Sequence, residues 1–200
     1  ESVSTPSAEA VIAHLQLAAQ LCRGRDVFES TGLLREIYHA LFQAYGTCSS
    51  PRYAGQVLAG LSMAMLDAAG KQVGLPAHAL LGGKVREEIV YFGFAQGETA
   101  SEVAEEAAVL AREGFEVIYF KVGRGDDLDQ ETVRLVREAI GPRKRIRVDP
   151  NEKWSPVKAG SMIRRIARYD VECVEQPTHA ESISALAQVK ASSPVAIAAA

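Results

Sequence analysis

The chain has 200 residues, 48% of them hydrophobic and 24% charged, with a formal net charge of −3. That is room for one ordinary domain, or for one domain and part of a second, with a sizeable core. The slight acidity and the dispersed Lys and Arg residues make no electrostatic case for nucleic acid, and no apolar run approaches the roughly 20 residues of a membrane helix.

Neither a nucleic-acid nor a membrane partner is expected, and with no signal peptide at the start the cytoplasm is the expected location. Cys22, Cys48 and Cys173 are odd in number and far apart, matching neither a disulfide framework nor a zinc spacing. Buried free thiols in a reducing compartment are the expectation.

Residues 1 to about 85 read as helices. Ser7 can cap a first helix with Val11, Ile12, Leu15 and Ala19 on its apolar face, ending at Gly24. A second follows Thr31, with Leu34, Ile37, Leu41 and Tyr45 on one stripe and Gly46 as terminator. The third, from about Ala54 to Lys71, is apolar almost all round through Val57, Leu58, Leu61, Met63, Met65 and Leu66, so it is expected to be buried. Gly74 and Pro76 stop it.

After Gly82-Gly83 strands and helices alternate. Strand Ile89–Phe94 is followed by the capping box Thr99-x-x-Glu102 and a helix ending at Gly114. Strand Glu116–Val122 leads to a helix from about Leu128 to Ile140, closed by Gly141-Pro142. Strand Arg145–Asp149 leads to a helix begun by Ser155-Pro156. Strand Glu172–Glu175 precedes a second predicted capping box, Thr178-x-x-Glu181, a helix to about Lys190 and a fifth strand, Val195–Ala199. The alternation implies a parallel sheet with right-handed crossovers. An open doubly wound sheet and a (β/α)₈ barrel begin the same way, and periodicity does not separate them.

Lys121, Asp149 and Glu175 each end a predicted strand, one βα unit apart, so neighbouring strands bring all three to one rim. In barrels that rim is where catalytic groups collect. Two neighbouring carboxylates repel unless something positive lies between them, and oxygen ligands favour a hard cation such as Mg²⁺. A lysine one strand away can exchange a proton if its surroundings lower its pKa. The bland reading is an ion-pair network at a sheet end. General acid–base catalysis supplies only about 10²–10⁴-fold. Removing a proton from carbon beside a carboxylate therefore needs electrostatic stabilisation of the anion as well.

Gly123-Arg124-Gly125 lacks the third glycine of a dinucleotide site, and Asp126, Asp127 and Asp129 would repel a pyrophosphate. His179 reads as a loop histidine bonded to backbone in preference to a catalytic one, and Trp154 as packing under a loop at least as readily as covering a site. His14, His39 and His78 lie away from any acidic cluster.

The segments Tyr119-Phe120-Lys121-Val122-Gly123, Val148-Asp149-Pro150-Asn151 and Val174-Glu175-Gln176-Pro177 resemble the mandelate racemase and muconate lactonizing branch of the enolase superfamily in order and spacing. Upstream, Met63–Lys71, Gly74-Leu75-Pro76 and Leu80–Gly83 look like the helix that joins the capping domain of that family to its barrel. The resemblance implies a (β/α)-barrel of TIM type, incomplete in this chain, over residues 86–200, and the helices of an N-terminal α+β capping domain over 1–85. It implies Asp149 and Glu175 as Mg²⁺ ligands, Lys121 as acid/base, Asn151 near substrate, a small carboxylate substrate and a homo-oligomer. The implied chemistry is abstraction of the proton α to that carboxylate through an enediolate. The outcome would be isomerisation, epimerisation or racemisation, cycloisomerisation or dehydration.

Two departures stand against the family pattern. Tyr119 occupies a position that usually carries lysine; a phenol can hydrogen-bond the carboxylate or tune Lys121 but is no cation at neutral pH. The chain reaches Ala198-Ala199-Ala200 where a fifth strand should deliver a third acidic ligand. A barrel takes roughly 250 residues and only about 115 follow Gly83, so a fragment, or a fold completed by another segment, is expected. The contrasting reading is a catalytically silent relative, or a fragment acting as a binding or structural unit.

Overall fold

The structure is a computed structural model that describes residues 7–43, 47 and 51–199. The chain divides into two units, residues 1–88 and 89–200.

The first unit is helical: α1 (Ala8–Cys22), α2 (Ser30–Leu41), α3 (Pro51–Val73) and the short α4 (Ala77–Leu80). Ser7 caps α1 as predicted, its hydroxyl accepting from the Ala10 amide. Ala18, Leu33, Ile37 and Met65 form the shared core, with Leu34, Leu41, Leu58 and Leu61 against it. The face expected for α1 is corrected. Val11 and Ala18 are buried, whereas Ile12 and Ala19 are exposed, because the neighbouring helices cover a narrower stripe than the apolar residues occupy. Helix α2 begins one residue before Thr31, after a 3₁₀ turn capped by Asp26. The expected stripe residue Tyr45 and terminator Gly46 lie outside the described residues.

Helix α3 corrects a second expectation. It buries Ala54, Val57, Gly60, Met65, Ala69 and Gly70 but leaves Met63 49% exposed, so it is covered on one side only. At Gly70 an added Cβ would lie 2.6 Å from the Leu75 carbonyl oxygen. Only glycine admits that approach, and it lets the Leu75 amide close onto the Gly70 carbonyl at 2.9 Å where α3 ends.

The second unit alternates β1 (Gly93–Ala95), α5 (Ala100–Arg112), β2 (Val117–Lys121), α6 (Asp126–Ile140), β3 (Arg145–Asp149), α7 (Pro156–Ala167), β4 (Val171–Glu175), α8 (Ile183–Ser192) and β5 (Ala196–Ala198). All neighbours pair in parallel, in the order β1-β2-β3-β4-β5. A doubly wound sheet reverses its order at a switch point; this one does not. The winding therefore puts every helix on one face, and the side chains agree. Ala95, Phe120, Val148 and Val174 share one row across the register and pack with Val103 and Ala107 of α5, Val133 and Val136 of α6, Met162, Ile163 and Ile166 of α7, and Val189 of α8. Full burial of a side chain such as Phe120 is worth about 1.5–3 kcal/mol.

The predicted start of β1 is too early: Ile89, Val90 and Tyr91 are exposed and unpaired with the sheet among the described residues. The Thr99 capping box is present in both halves, and Ser155 caps α7 with Pro156 in its first turn. The second predicted box is absent. Ser182, not Thr178, caps α8, while the Thr178 hydroxyl is buried without a partner among the described residues. Cys22 and Cys173 are free but only half-buried, which corrects the expected full burial; Cys48 lies outside the described residues. No described helix is long and apolar enough to cross a membrane.

Candidate active site

The second face of the sheet carries the polar residues. Phe94, Tyr119, Arg147 and Cys173 form one row, and Lys121 pairs in register with Asp149 at the C-terminal ends of β2 and β3. Glu175 ends the next strand, opposite Ala198. All three residues picked by strand-end position thus lie at one rim.

Asp149 is the centre of the cluster, with 3% of its side chain exposed. Three donors meet its Oδ2: the Tyr119 hydroxyl at 2.7 Å, the Lys121 ammonium at 2.5 Å and the Asn151 side-chain amide at 2.8 Å. Its Oδ1 accepts from the Asn151 backbone amide at 2.6 Å. A buried carboxylate needs such partners to remain charged. Asn151, expected near substrate, is placed here as a clamp on Asp149.

Tyr119 is buried between Phe92 and Phe94, with ring centroids at 4.7 and 5.4 Å. Burial, then the bond to Asp149 and the charges of Asp149 and Glu175, push its phenol well above the ordinary tyrosine range. It is a permanent donor at neutral pH. The Lys121 ammonium also donates to the Tyr119 oxygen at 3.1 Å, so tyrosine at this position orients the lysine and the carboxylate without adding charge.

The turn after Lys121 is tied down residue by residue. The Val122 amide donates to the Asp149 carbonyl at 3.0 Å, and the Gly123 and Arg124 amides donate to the two oxygens of Asp129 at 2.9 and 3.0 Å. Asp129, 2% exposed, thus fills with its own carboxylate the anion nest that the Gly123-Arg124-Gly125 run suggested. Gly123 has φ +86°, and a Cβ there would meet the Pro150 carbonyl oxygen at 2.9 Å. Sequence reasoning placed Asp129 among acids that repel a phosphate and did not find its role; a carboxylate six residues after the glycine was the available signal.

Across the next loops, Asn151, Glu152 and Gln176 all have positive φ (47°, 67° and 33°). Such strain collects where surroundings over-determine the backbone. Here the Glu152 amide bonds the Gln176 carbonyl and the Trp154 amide the Pro177 carbonyl, lacing the β3–α7 and β4–α8 loops together. Trp154 belongs to the helix-side core and does not cover the site. His179 is largely exposed, 3.9 Å from Glu152, and its Nδ1 accepts from the Glu181 amide. Lower on the same face, Glu172 bridges Arg145 and Arg147 at 2.9 and 2.7 Å, and Arg147 holds its carboxyl below the usual range.

The donor chemistry fits a hard divalent cation. Asp149 and Glu175 supply oxygen, and Mg²⁺ is commonly held by one or two carboxylates with water or substrate completing the shell. The Lys121 ammonium on Oδ2 shows that the carboxylate calls for positive charge. Among the described residues no third His, Cys, Asp or Glu completes a metal cluster.

A sequentially wound parallel α/β sheet thus carries a lysine and two carboxylates on successive strand ends at one rim. Residues 102–200 match the family described as enolase C-terminal domain-like. The chain is 30% identical over 135 residues to D-Ala-D/L-Ala epimerase from Cytophaga hutchinsonii, covering 67% of this chain and 36% of that protein. It is 32% identical over 146 residues to D-galactarolactone cycloisomerase from Agrobacterium fabrum, covering 70% and 39%. The crystal structure of a dipeptide epimerase from Cytophaga hutchinsonii, complexed with Mg and the dipeptide D-Ala-L-Val, superposes with a TM-score of 0.76 at 25% identity, covering 96% of this chain and 49% of that one. The chain belongs to the enolase superfamily, in its mandelate racemase and muconate lactonizing branch. It spans less than half the length of each of these relatives.

Proposed function

We propose that the protein to which this chain belongs is an enolase-superfamily isomerase or lyase that removes the proton α to the carboxylate of a small acid. Residues 89–200 would then be the first half of a (β/α)₈ barrel and the helical unit part of its capping domain. The observation that carries the reading is the in-register meeting of Lys121 and Asp149 at 2.5 Å, with Glu175 ending the adjacent strand. Relatives named as epimerases and cycloisomerases support the reaction class, and the Mg in a similar structure supports the cation.

In this reading Asp149 and Glu175 would hold Mg²⁺, which would supply electrostatic stabilisation for the negative charge that develops on the substrate carboxylate. Lys121, as the neutral amine that remains once its ammonium proton has passed to solvent, takes the α-proton at Nζ, and the electron pair left on carbon spreads onto the carboxylate as an enediolate. Lys121 or a second acid then returns a proton. Asn151 and Tyr119 keep Asp149 oriented, and Tyr119 keeps the lysine beside it. General acid–base transfer at Lys121 accounts for about 10²–10⁴-fold, the remainder being electrostatic.

Calorimetry of the intact protein with MgCl₂ tests the site: one cation per chain is expected, lost in Asp149→Asn and in Glu175→Gln. Exchange of substrate α-hydrogen for solvent deuterium tests the chemistry, and Lys121→Ala should abolish it. Full exchange in Lys121→Ala would remove the lysine from the mechanism, and undiminished Mg²⁺ binding in Asp149→Asn would remove the metal assignment.

A further inference from the structure

Beside Lys121 the rim opens into a cavity of about 260 Å³, lined by Phe94, Gln96, Gly97, Lys121, Arg124 and the carboxylate-bearing Glu98. Its wall is built by Arg124. The Arg124 Nη1 donates to the carbonyls of Gly97 at 2.9 Å and Glu98 at 3.1 Å, joining the β2–α6 turn to the β1–α5 loop. The backbone of Arg124 is in turn fixed by Asp129. A guanidinium has five N–H donors, and the side-on edge that grips a carboxylate with two parallel bonds consists of Nε and Nη2. Both carbonyl bonds use Nη1, so that edge is the one left over. Among the described residues no carboxylate pairs with Arg124 and no other acceptor takes its Nε or Nη2. The Lys121 ammonium, by contrast, is committed to Asp149 and Tyr119.

A held arginine with an unpaired fork, on a cavity contiguous with the acid/base lysine, is built to receive an anion. Phe94, 39% exposed, offers apolar surface on the same lining. The volume leaves room for a short chain ending in a polar group.

We propose that this cavity is the subsite for the far end of the substrate, that this end carries a second carboxylate, and that Arg124 is the residue that selects it. The proposal rests on the reading of Lys121, Asp149 and Glu175 as the reacting site. It narrows the substrate from a small carboxylic acid to a dicarboxylate-like one, with one carboxylate at the metal position and the other in the Arg124 fork.

The test is calorimetry of the intact protein in saturating MgCl₂, with succinate, glutarate and adipate each compared with butyrate. A hydrogen bond to a charged group changes affinity by about tenfold or more. The tightest dicarboxylate should bind at least about tenfold more tightly than butyrate. R124Q should bring the ratio to within about twofold, and R124K, which keeps a cation and a donor for the loop carbonyls but lacks the fork, should lose most of it. A wild-type ratio near one, or a ratio that survives in R124Q, overturns the proposal. Failure of the underlying site reading shows separately, as Mg²⁺ binding retained in Asp149→Asn, a readout in which Arg124 has no part.

Discussion

Asp129→Ala removes one side chain and releases two backbone amides at once. Hydrogen bonds to a charged acceptor are worth about 1.5–3 kcal/mol each, so the two bonds from Gly123 and Arg124 represent roughly 3–6 kcal/mol gross. Gly123 is only half-buried and Arg124 is exposed, so water recovers part of the loss. The expected net destabilisation is about 2–4 kcal/mol, and about 1–2 kcal/mol for Asp129→Asn, which keeps one acceptor. Trp154 is the sole tryptophan of the sequence and is buried in the core of the second unit, so its fluorescence follows that unit through a urea titration without interference from the helical one. The Asp129→Ala midpoint should fall with an unchanged slope. A loss below about 0.5 kcal/mol, the level of an ordinary surface substitution, would mean that the carboxylate does not hold the turn. The latch from Asp129 through Arg124 to the β1–α5 loop would then lose its base.

Gly123→Ala should cost about 1–3 kcal/mol by the same fluorescence measurement, because the residue is held at φ +86° and the new methyl group meets the Pro150 carbonyl oxygen. For Tyr119 the sign follows from a raised folded-state pKa: its contribution to stability is complete below the ordinary phenol value of about 10 and is lost as pH rises above it. The urea midpoint should therefore fall more steeply between about pH 9.5 and 11 in the wild type than in Tyr119→Phe. Parallel slopes would show that the phenol ionises as freely in the folded protein as in the unfolded chain.

Local signals in the sequence determined most of the elements and the trio of charged strand ends. The Thr99 box, the Ser155-Pro156 start and the spacing of Lys121, Asp149 and Glu175 needed no tertiary knowledge, because caps are satisfied within four residues and one βα unit returns each strand end to the same rim. Where only neighbours can decide, the sequence did not suffice. Burial on α1 and α3 depended on which stripes other helices cover, and the cap of α8 on which of two hydroxyls the chain buries. Sheet order, which separates sequential from double winding, depended on crossovers that leave no mark in periodicity. The roles of Asp129 and Arg124 arise from bonds to carbonyls and amides of other turns. Backbone groups are the same at every residue, so no sequence pattern announces which of them a side chain will reach; the tertiary structure alone makes that choice.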